Sequence, residues 1–450
     1  MTATDTIAAI ATAQGRGALG VVRASGPAVP AILQALIGQL PAPRHAVFRS
    51  LKAAAGEMLD AGVVIYFPAP ASFTGEDICE LHTHGNPLVM QALLEELCRL
   101  GARLARPGEF SERAFRNGKL DLAQAEAVAD LIESRSMRAA RSALRTLQGE
   151  FSTRINDLVA ALTHSRVAFE GAIDFPDDIP GEALAAAELP RIVGLRGQID
   201  ELLASARQGA RLNSGATVAI VGAPNVGKST LLNRLARADR AIVSAIPGTT
   251  RDIIEVDTLI KDVPVRLCDT AGLRDTADPI EQEGIRRANE AMASADLIVL
   301  MTDAPEPRRT QELFAMLNQS LPANARVLVV HNKIDVYGAT SRCVAGPDAD
   351  HIFISAREGT GMDLLTETLG RMLGIEDTEE NEFVARSRHL AALELARDEL
   401  APLDIALASS APELAAEGLR RAADALHTIV GGGGGEALLG EIFSRFCLGK

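Results

Sequence analysis

The segment TVAIVGAPNVGKS (217–229) restricts this chain more than any other stretch. An apolar run leads into GAPNVGKS (222–229), which has the form G-x-x-x-x-G-K-[ST], and a helical pattern follows. Gly222 and Gly227 allow successive backbone N–H groups to turn inward around a phosphate, and the helix after them presents its positive N-terminus. Lys228 is suited to the β- and γ-phosphates, and the Ser229 hydroxyl to Mg2+. Such a loop needs a strand before it and a helix after it, so a largely parallel, doubly covered sheet is expected in the middle of the chain.

The surrounding residues 216–375 fit that expectation. Short Val/Ile/Leu runs with polar ends (TVAIVG, VRLCDT, DLIVLMTD, RVLVVHNK, HIFISA) alternate with helical stretches. DTAG (269–272) ends one run, placing Asp269 to hold Mg2+ through water and the Gly272 N–H near a γ-phosphate. PGTTRD (247–252) lies between these motifs, where Thr250 can complete the Mg2+ shell. NKID (332–335) selects the base: the Asp335 carboxylate accepts from guanine N1–H and its exocyclic amine, whereas adenine would leave it buried and unpaired. The Ala356 N–H is expected to donate to guanine O6. The GTP-binding set is therefore Gly222, Asn225, Val226, Gly227, Lys228, Ser229 and Thr230; Ser244, Ala245, Ile246, Pro247, Gly248, Thr249 and Thr250; Asp269, Thr270, Ala271 and Gly272; and Asn332, Lys333, Asp335, Ser355 and Ala356. Lys228, Thr250 and Glu281 form the expected hydrolytic group.

Hydrolysis needs a device other than the usual glutamine, because the position after DTAG holds the apolar Leu273. Asn225, with carbonyls from 244–249, can bind a monovalent cation beside the phosphates; simple turn chemistry also accounts for an Asn there. Glu281 can hold the attacking water, or be a solvated acid at a helix start.

Outside this segment the texture differs. Residues 1–118 mix β-like runs (61–70 and 78–84) with a helical pattern over 87–105, an α+β arrangement. From Leu120 to Pro176 the chain is rich in Ala, Leu, Glu and Arg without a proline, which predicts long helix, and 191–212 is helical again. Helical pattern resumes after 376–382 and, beyond five glycines (431–435), ends in ALLGEIFSRFCLGK. The expected organisation is multidomain: an N-terminal α+β domain (1–118), an all-α helical domain in two parts (119–212 and 376–450), and an inserted Ras-like α/β G domain (213–375).

Composition removes several function classes. A net charge of −14 argues against indiscriminate coating of nucleic acid, though not against a local basic patch. Five cysteines without a C-x-x-C pair do not suit a disulfide scaffold or zinc ribbon, and a reducing compartment fits best. With no apolar run approaching the ~18 residues of a membrane span and no basic leader, a cytoplasmic location is expected. His82 and His84 form an H-x-H without an evident third ligand, which reads as an exposed strand rather than a metal site. Arg138, Arg141 and Arg145, with Arg135 one turn earlier, would share a helix face, either salt-bridged in solvent or meeting RNA phosphates.

GRGALGVVRASG (15–26), SFTGEDICELHTHGNP (72–87), PGEFSERAFRNGKLDLAQAEA (107–127), the nucleotide motifs and the terminal FCLGK (446–450) closely resemble the MnmE/TrmE family of tRNA-modification GTPases over nearly the whole chain. The resemblance implies an N-terminal domain that dimerises and binds a tetrahydrofolate derivative (5-formyl or methylene form), with Arg23, Glu80, Lys119 and Lys450 at that site. It implies K+ activation through Asn225, Ser244, Ile246 and Thr249, and a catalytic acid at Glu281. It also implies an FAD-dependent partner of the MnmG/GidA type, and transfer of an aminomethyl or carboxymethylaminomethyl group to C5 of the wobble uridine of certain tRNAs. Cys447 matches a family cysteine linked to that reaction, while its apolar surroundings alone read as a buried structural thiol. Two positions depart from the family pattern, the GGGGGEA run (431–437) and Asn86. The rival reading is a potassium-activated GTPase switch in ribosome assembly, which shares the P-loop form and the missing glutamine.

Overall fold

The computed structural model describes the chain except for residues 1–4, 54–55, 176, 178–179, 224, 239–253, 270–291, 294, 304–325, 347–348, 376–382, 405–409, 434, 445, 447–448 and 450. The protein is multidomain, and contacts divide it into two compact units. One comprises Met1–Glu133, Ala143–Leu202 and Arg388–Lys450; the other comprises Ser134–Ser142 and Leu203–Ser387.

The first unit contains a six-stranded sheet of β1 (Thr6–Ile10), β2 (Gly17–Ser25), β3 (Val47–Lys52), β4 (Met58–Phe67), β5 (Ile78–Gly85) and β6 (Ala102–Leu104). Its order is β3-β4-β5-β2-β1-β6, antiparallel throughout except for β1 with β6. Alternation puts Val22, Ala24, Val64, Tyr66, Cys79 and Leu81 on one face, beneath the helices Val29–Ile37 and Pro87–Arg99. The second of these starts at Asn86, whose side chain accepts from Leu88 N at 2.9 Å, with Pro87 in the first turn. The helical pattern expected through residue 105 stops at Arg99 instead. Gly101 adopts φ +109°, and the next three residues pair with β1, whose edge supplies backbone partners a helix would not use.

The long helix expected from Leu120 is three helices, Leu122–Glu133, Met137–Leu147 and Glu150–Asp174. Polar capping breaks it rather than proline: Ser136 Oγ accepts from Ala139 N at 3.1 Å, and Gly149 sits at φ +90° before the third helix. Helices also span Gly181–Ser214, where the sequence pattern over 191–212 predicts one, and Ser387–Leu400 and Pro412–Val430, the last packing along Glu150–Asp174. Pro412–Val430 ends on Gly431 in the left-handed conformation, where a Cβ would meet the Phe115 ring at 2.6 Å. The glycine run therefore begins as a helix cap, and the helix Glu436–Ser444 follows, with Ile442, Phe443 and Phe446 buried among Leu122, Ala125 and Ala129.

The second unit holds β7 (Ala216–Gly222), β8 (Ile254–Ile260), β9 (Val263–Asp269), β10 (Leu297–Thr302), β11 (Val327–His331), β12 (Arg342–Val344) and β13 (Asp350–Phe353) in the order β12-β13-β11-β10-β7-β9-β8. The five inner strands are parallel; β8 and β12 are antiparallel edges. Both faces are apolar: Val218 and Ile220 face one core, Ala219 and Val221 the other. The helix Met137–Leu147 carries Arg138, Arg141 and Arg145, but not Arg135. Arg138 is buried and reaches the Lys261 carbonyl at 3.5 Å, while Arg135, before the helix, pairs with Asp257 at 3.1 Å. No described helix is long and apolar enough to cross a membrane.

Candidate functional site

Strand β7 delivers Gly222 to the edge of the phosphate loop, where a side chain would collide with the Met301 carbonyl of β10. Asn225 and Gly227 both adopt positive φ (+65° and +103°), the alternation that turns consecutive N–H groups to one side. A Cβ on Gly227 would run into Asn332 Nδ2, so glycine is required there by packing as well as by conformation. Lys228 opens the helix Lys228–Ala238, and its Nζ donates to the Gly222 carbonyl at 2.8 Å and the Ala223 carbonyl at 3.4 Å. The ammonium is thus held across the loop mouth. Ser229 and Thr230 are exposed in the first helical turn, and Val226 is buried beneath the loop.

Asn332 ties the base-reading segments to this loop. Its Nδ2 donates to the Val226 carbonyl at 2.8 Å, and its Oδ1 accepts from Ala356 N at 2.9 Å. The Ala356 N–H, expected at guanine O6, is thus within the reach of Asn332 as well. Lys333, at φ +65°, donates through Nζ to the Asn225 carbonyl at 2.8 Å and pairs with Asp303 at 3.2 Å. The sequence reading missed Asp303, which directly follows β10 much as Asp269 ends β9. Ser355 N donates to the Thr360 carbonyl at 2.9 Å, and Ser355 Oγ accepts from Glu358 N, closing the loop after β13.

Two carboxylates in this unit each bury an oxygen that has no hydrogen-bond partner among the described residues, Asp269 Oδ1 and Asp335 Oδ1. Burial raises the Asp269 carboxyl above its usual range, against the downward pull of Lys228. A buried acceptor without a donor is costly, so each of these atoms could take a donor from a bound ligand or from the water of a hydrated cation. Ser244, Ala245, Ile246, Pro247, Gly248, Thr249, Thr250, Thr270, Ala271, Gly272 and Glu281 lie outside the described residues, as do Cys447 and Lys450.

In the first unit, Arg23 on β2 and Glu80 on β5 stand opposite each other in register. Arg23 donates to Glu80 Oε1 from Nε at 3.0 Å and from Nη2 at 2.6 Å, and His82 Nε2 lies 3.1 Å from Glu80 Oε2. Burial alone would raise the Glu80 carboxyl; Arg23 and His82 outweigh it and hold it below the usual range. The exposed Lys119 runs past Gly75, whose added Cβ would meet its stem at 3.3 Å. Near the chain's end, a Cβ on Gly449 would collide with the Ile10 carbonyl, so the C-terminal segment reaches β1, the neighbour of β2. His84 Nδ1 lies 2.9 Å from Asp60 Oδ1; both histidines of the H-x-H thus face carboxylates, and no described group of His, Cys, Asp and Glu could hold a metal.

Two family models match the chain, "MnmE helical domain" over residues 122–447 and "GTP-binding protein TrmE N-terminus" over residues 6–119. Three relatives described as tRNA modification GTPase MnmE align with it along its length. That of Methylococcus capsulatus is 48% identical over 449 residues, 99% of each chain. That of Marinobacter nauticus is 48% identical over 456 residues, 100% of this chain and 99% of the relative. That of Thiobacillus denitrificans is 49% identical over 446 residues, 99% of this chain and 98% of the relative.

Proposed function

From the premise that this chain belongs to the MnmE family of tRNA modification GTPases, and is a GTP-hydrolysing enzyme, we propose that it acts on the wobble uridine of certain tRNAs. In this reading it works as a homodimer with an FAD-dependent partner of the MnmG/GidA type and adds an aminomethyl or carboxymethylaminomethyl group to C5. The carbon comes from a tetrahydrofolate derivative held by Arg23, Glu80, Lys119 and Lys450. The observation that carries the one-carbon part is the Arg23–Glu80 pair on a half-exposed sheet face, with Gly449 brought to the adjacent strand.

In the nucleotide site, Lys228 exchanges its two loop carbonyls for phosphate oxygens, and the glycine-shaped loop turns its N–H groups to the same ligand. Ser229 and Thr250 would ligate Mg2+, with Asp269 acting through water; the ion supplies positive charge at the phosphates when bound. Asp335 reads guanine while Asn332 holds the base loop to the phosphate loop. Glu281 orients water and Asn225 contributes to a K+ site with Ser244, Ile246 and Thr249. Asn225 suits that role because it is exposed at the loop tip while Lys333 fixes its backbone carbonyl.

Replacing K+ by Na+ at saturating GTP should therefore slow hydrolysis about tenfold or more, because carbonyls spaced for the larger ion stabilise the charge in the transition state less well. Equal turnover in the two salts would sink the cation reading. Liquid chromatography of tRNA nucleosides from a deletion strain tests the larger proposal, with loss of the C5-substituted wobble uridines expected. Unchanged nucleosides together with accumulated ribosomal precursors would favour the assembly switch instead.

A further inference from the structure

We propose that His82 is a positioning residue of the pterin-binding site, holding the Glu80 carboxylate so that one acceptor position stays open to the ligand. The inference rests on the reading of Arg23 and Glu80 as folate-binding residues and adds a residue that the reading lacks. Burial alternates over residues 21–24 of β2, 63–66 of β4 and 79–82 of β5. Val22, Ala24, Val64, Tyr66, Cys79 and Leu81 are buried under helices, whereas Val21, Arg23, Val63, Ile65, Glu80 and His82 are half-exposed on the opposite face. That second face sets the Arg23, Glu80 and His82 cluster beside the aliphatic side chains of Val21, Val63 and Ile65, the composition expected of a ligand floor. Arg23 is flanked by aromatic rings, its guanidinium carbon 6.0 Å from the Phe73 centroid and 5.8 Å from that of Phe110.

Counting acceptor capacity defines the role of His82. A carboxylate offers about two acceptor positions on each oxygen. Arg23 fills both on Glu80 Oε1, at 3.0 and 2.6 Å. His82 Nε2, 3.1 Å from Oε2, faces an atom that only accepts, so Nε2 carries the proton, and it fills one position there. No other described residue takes the remaining position on Oε2, which a ring N–H of a reduced pterin can fill. Without His82, the guanidinium fork can draw both oxygens into a bidentate pair and close that position. The Arg23, Glu80 and His82 side chains keep 24%, 18% and 26% of their surface exposed, so the cluster is open to a ligand on one side.

Calorimetric titration of the full chain with 5-formyltetrahydrofolate tests this. Glu80→Ala should abolish binding. His82→Ala and His82→Leu should each weaken it about tenfold, the effect of one charge-assisted hydrogen bond. His82→Gln should bind within about threefold of wild type, since its amide N–H lies as many bonds from the backbone as Nε2 and can replace that donor. All three His82 variants should melt with the wild-type protein. Wild-type affinity in the Leu variant alongside lost affinity in Glu80→Ala would overturn the role of His82 alone, as would a Gln variant no better than Leu. Wild-type affinity in Glu80→Ala would instead overturn the site on which the inference stands.

Discussion

Asp335→Asn is expected to weaken GTP binding by about a hundredfold and to shift preference towards xanthine nucleotides. The Asp335 Oδ1 atom is buried with no partner among the described residues, although Asn332 and Lys333 beside it are both engaged. Guanine supplies two donors on one edge, and each hydrogen bond to a charged acceptor contributes about 1.5–3 kcal/mol. Asparagine keeps the shape but offers an N–H where the carboxylate accepted, which opposes the guanine amine and suits the carbonyl of xanthine. Titration with fluorescent guanine and xanthine nucleotides measures both effects. Undiminished affinity for GTP would mean that the base is read elsewhere.

The second large effect concerns the helical part. Glu126→Gln should lower the unfolding free energy of the chain by about 3 kcal/mol at pH 7, with the gap from wild type shrinking as pH is lowered. Glu126 is 1% exposed and accepts from Arg388 Nε at 2.8 Å and Nη2 at 2.6 Å, with His389 Nε2 at an ion-pair distance of 2.9 Å. Arg388 also donates to the Thr428 and Ile429 carbonyls, the last turn of Pro412–Val430, so one charge cluster joins three helices. Burial by itself would raise the Glu126 carboxyl; His389 and Arg388 prevail and bring it down to about 2. A folded-state value below the ordinary 4.5 means that the contribution is present above pH 4.5 and is lost as pH falls towards 2. Urea unfolding of both proteins at pH 7 and pH 3, followed by circular dichroism, checks this. An identical gap at the two pH values would show that the ionised carboxylate is not the source.

What could be read in the sequence were features in which a local pattern has one physical solution. The phosphate loop needs Gly222, Gly227, Lys228 and Ser229 at fixed offsets, and two-sided apolar runs such as TVAIVG are stable only as inner strands of a covered parallel sheet. The α+β character of the first segment was legible for the same reason, since β4 and β5 carry the pattern of strands with one buried face. Capping was harder to see. Nothing short of the Ser136 hydroxyl on Ala139 N and the backbone of Gly149 reveals that one long helical stretch is three helices.

Partners distant in sequence were decided only by the tertiary structure. The Ala356 N–H came within reach of Asn332, Arg138 became buried against the Lys261 carbonyl, and His82 came to share Glu80 with Arg23. In each case the residue type says which bonds are possible, but which are made depends on strands or loops that meet only after folding. The sequence alone determined the class of chemistry, GTP binding and hydrolysis, because its motifs require particular residues at short spacing. Assignment of individual donors and acceptors fell to the assembled structure, because a buried polar group takes whichever complementary atom the packing brings within about 3 Å.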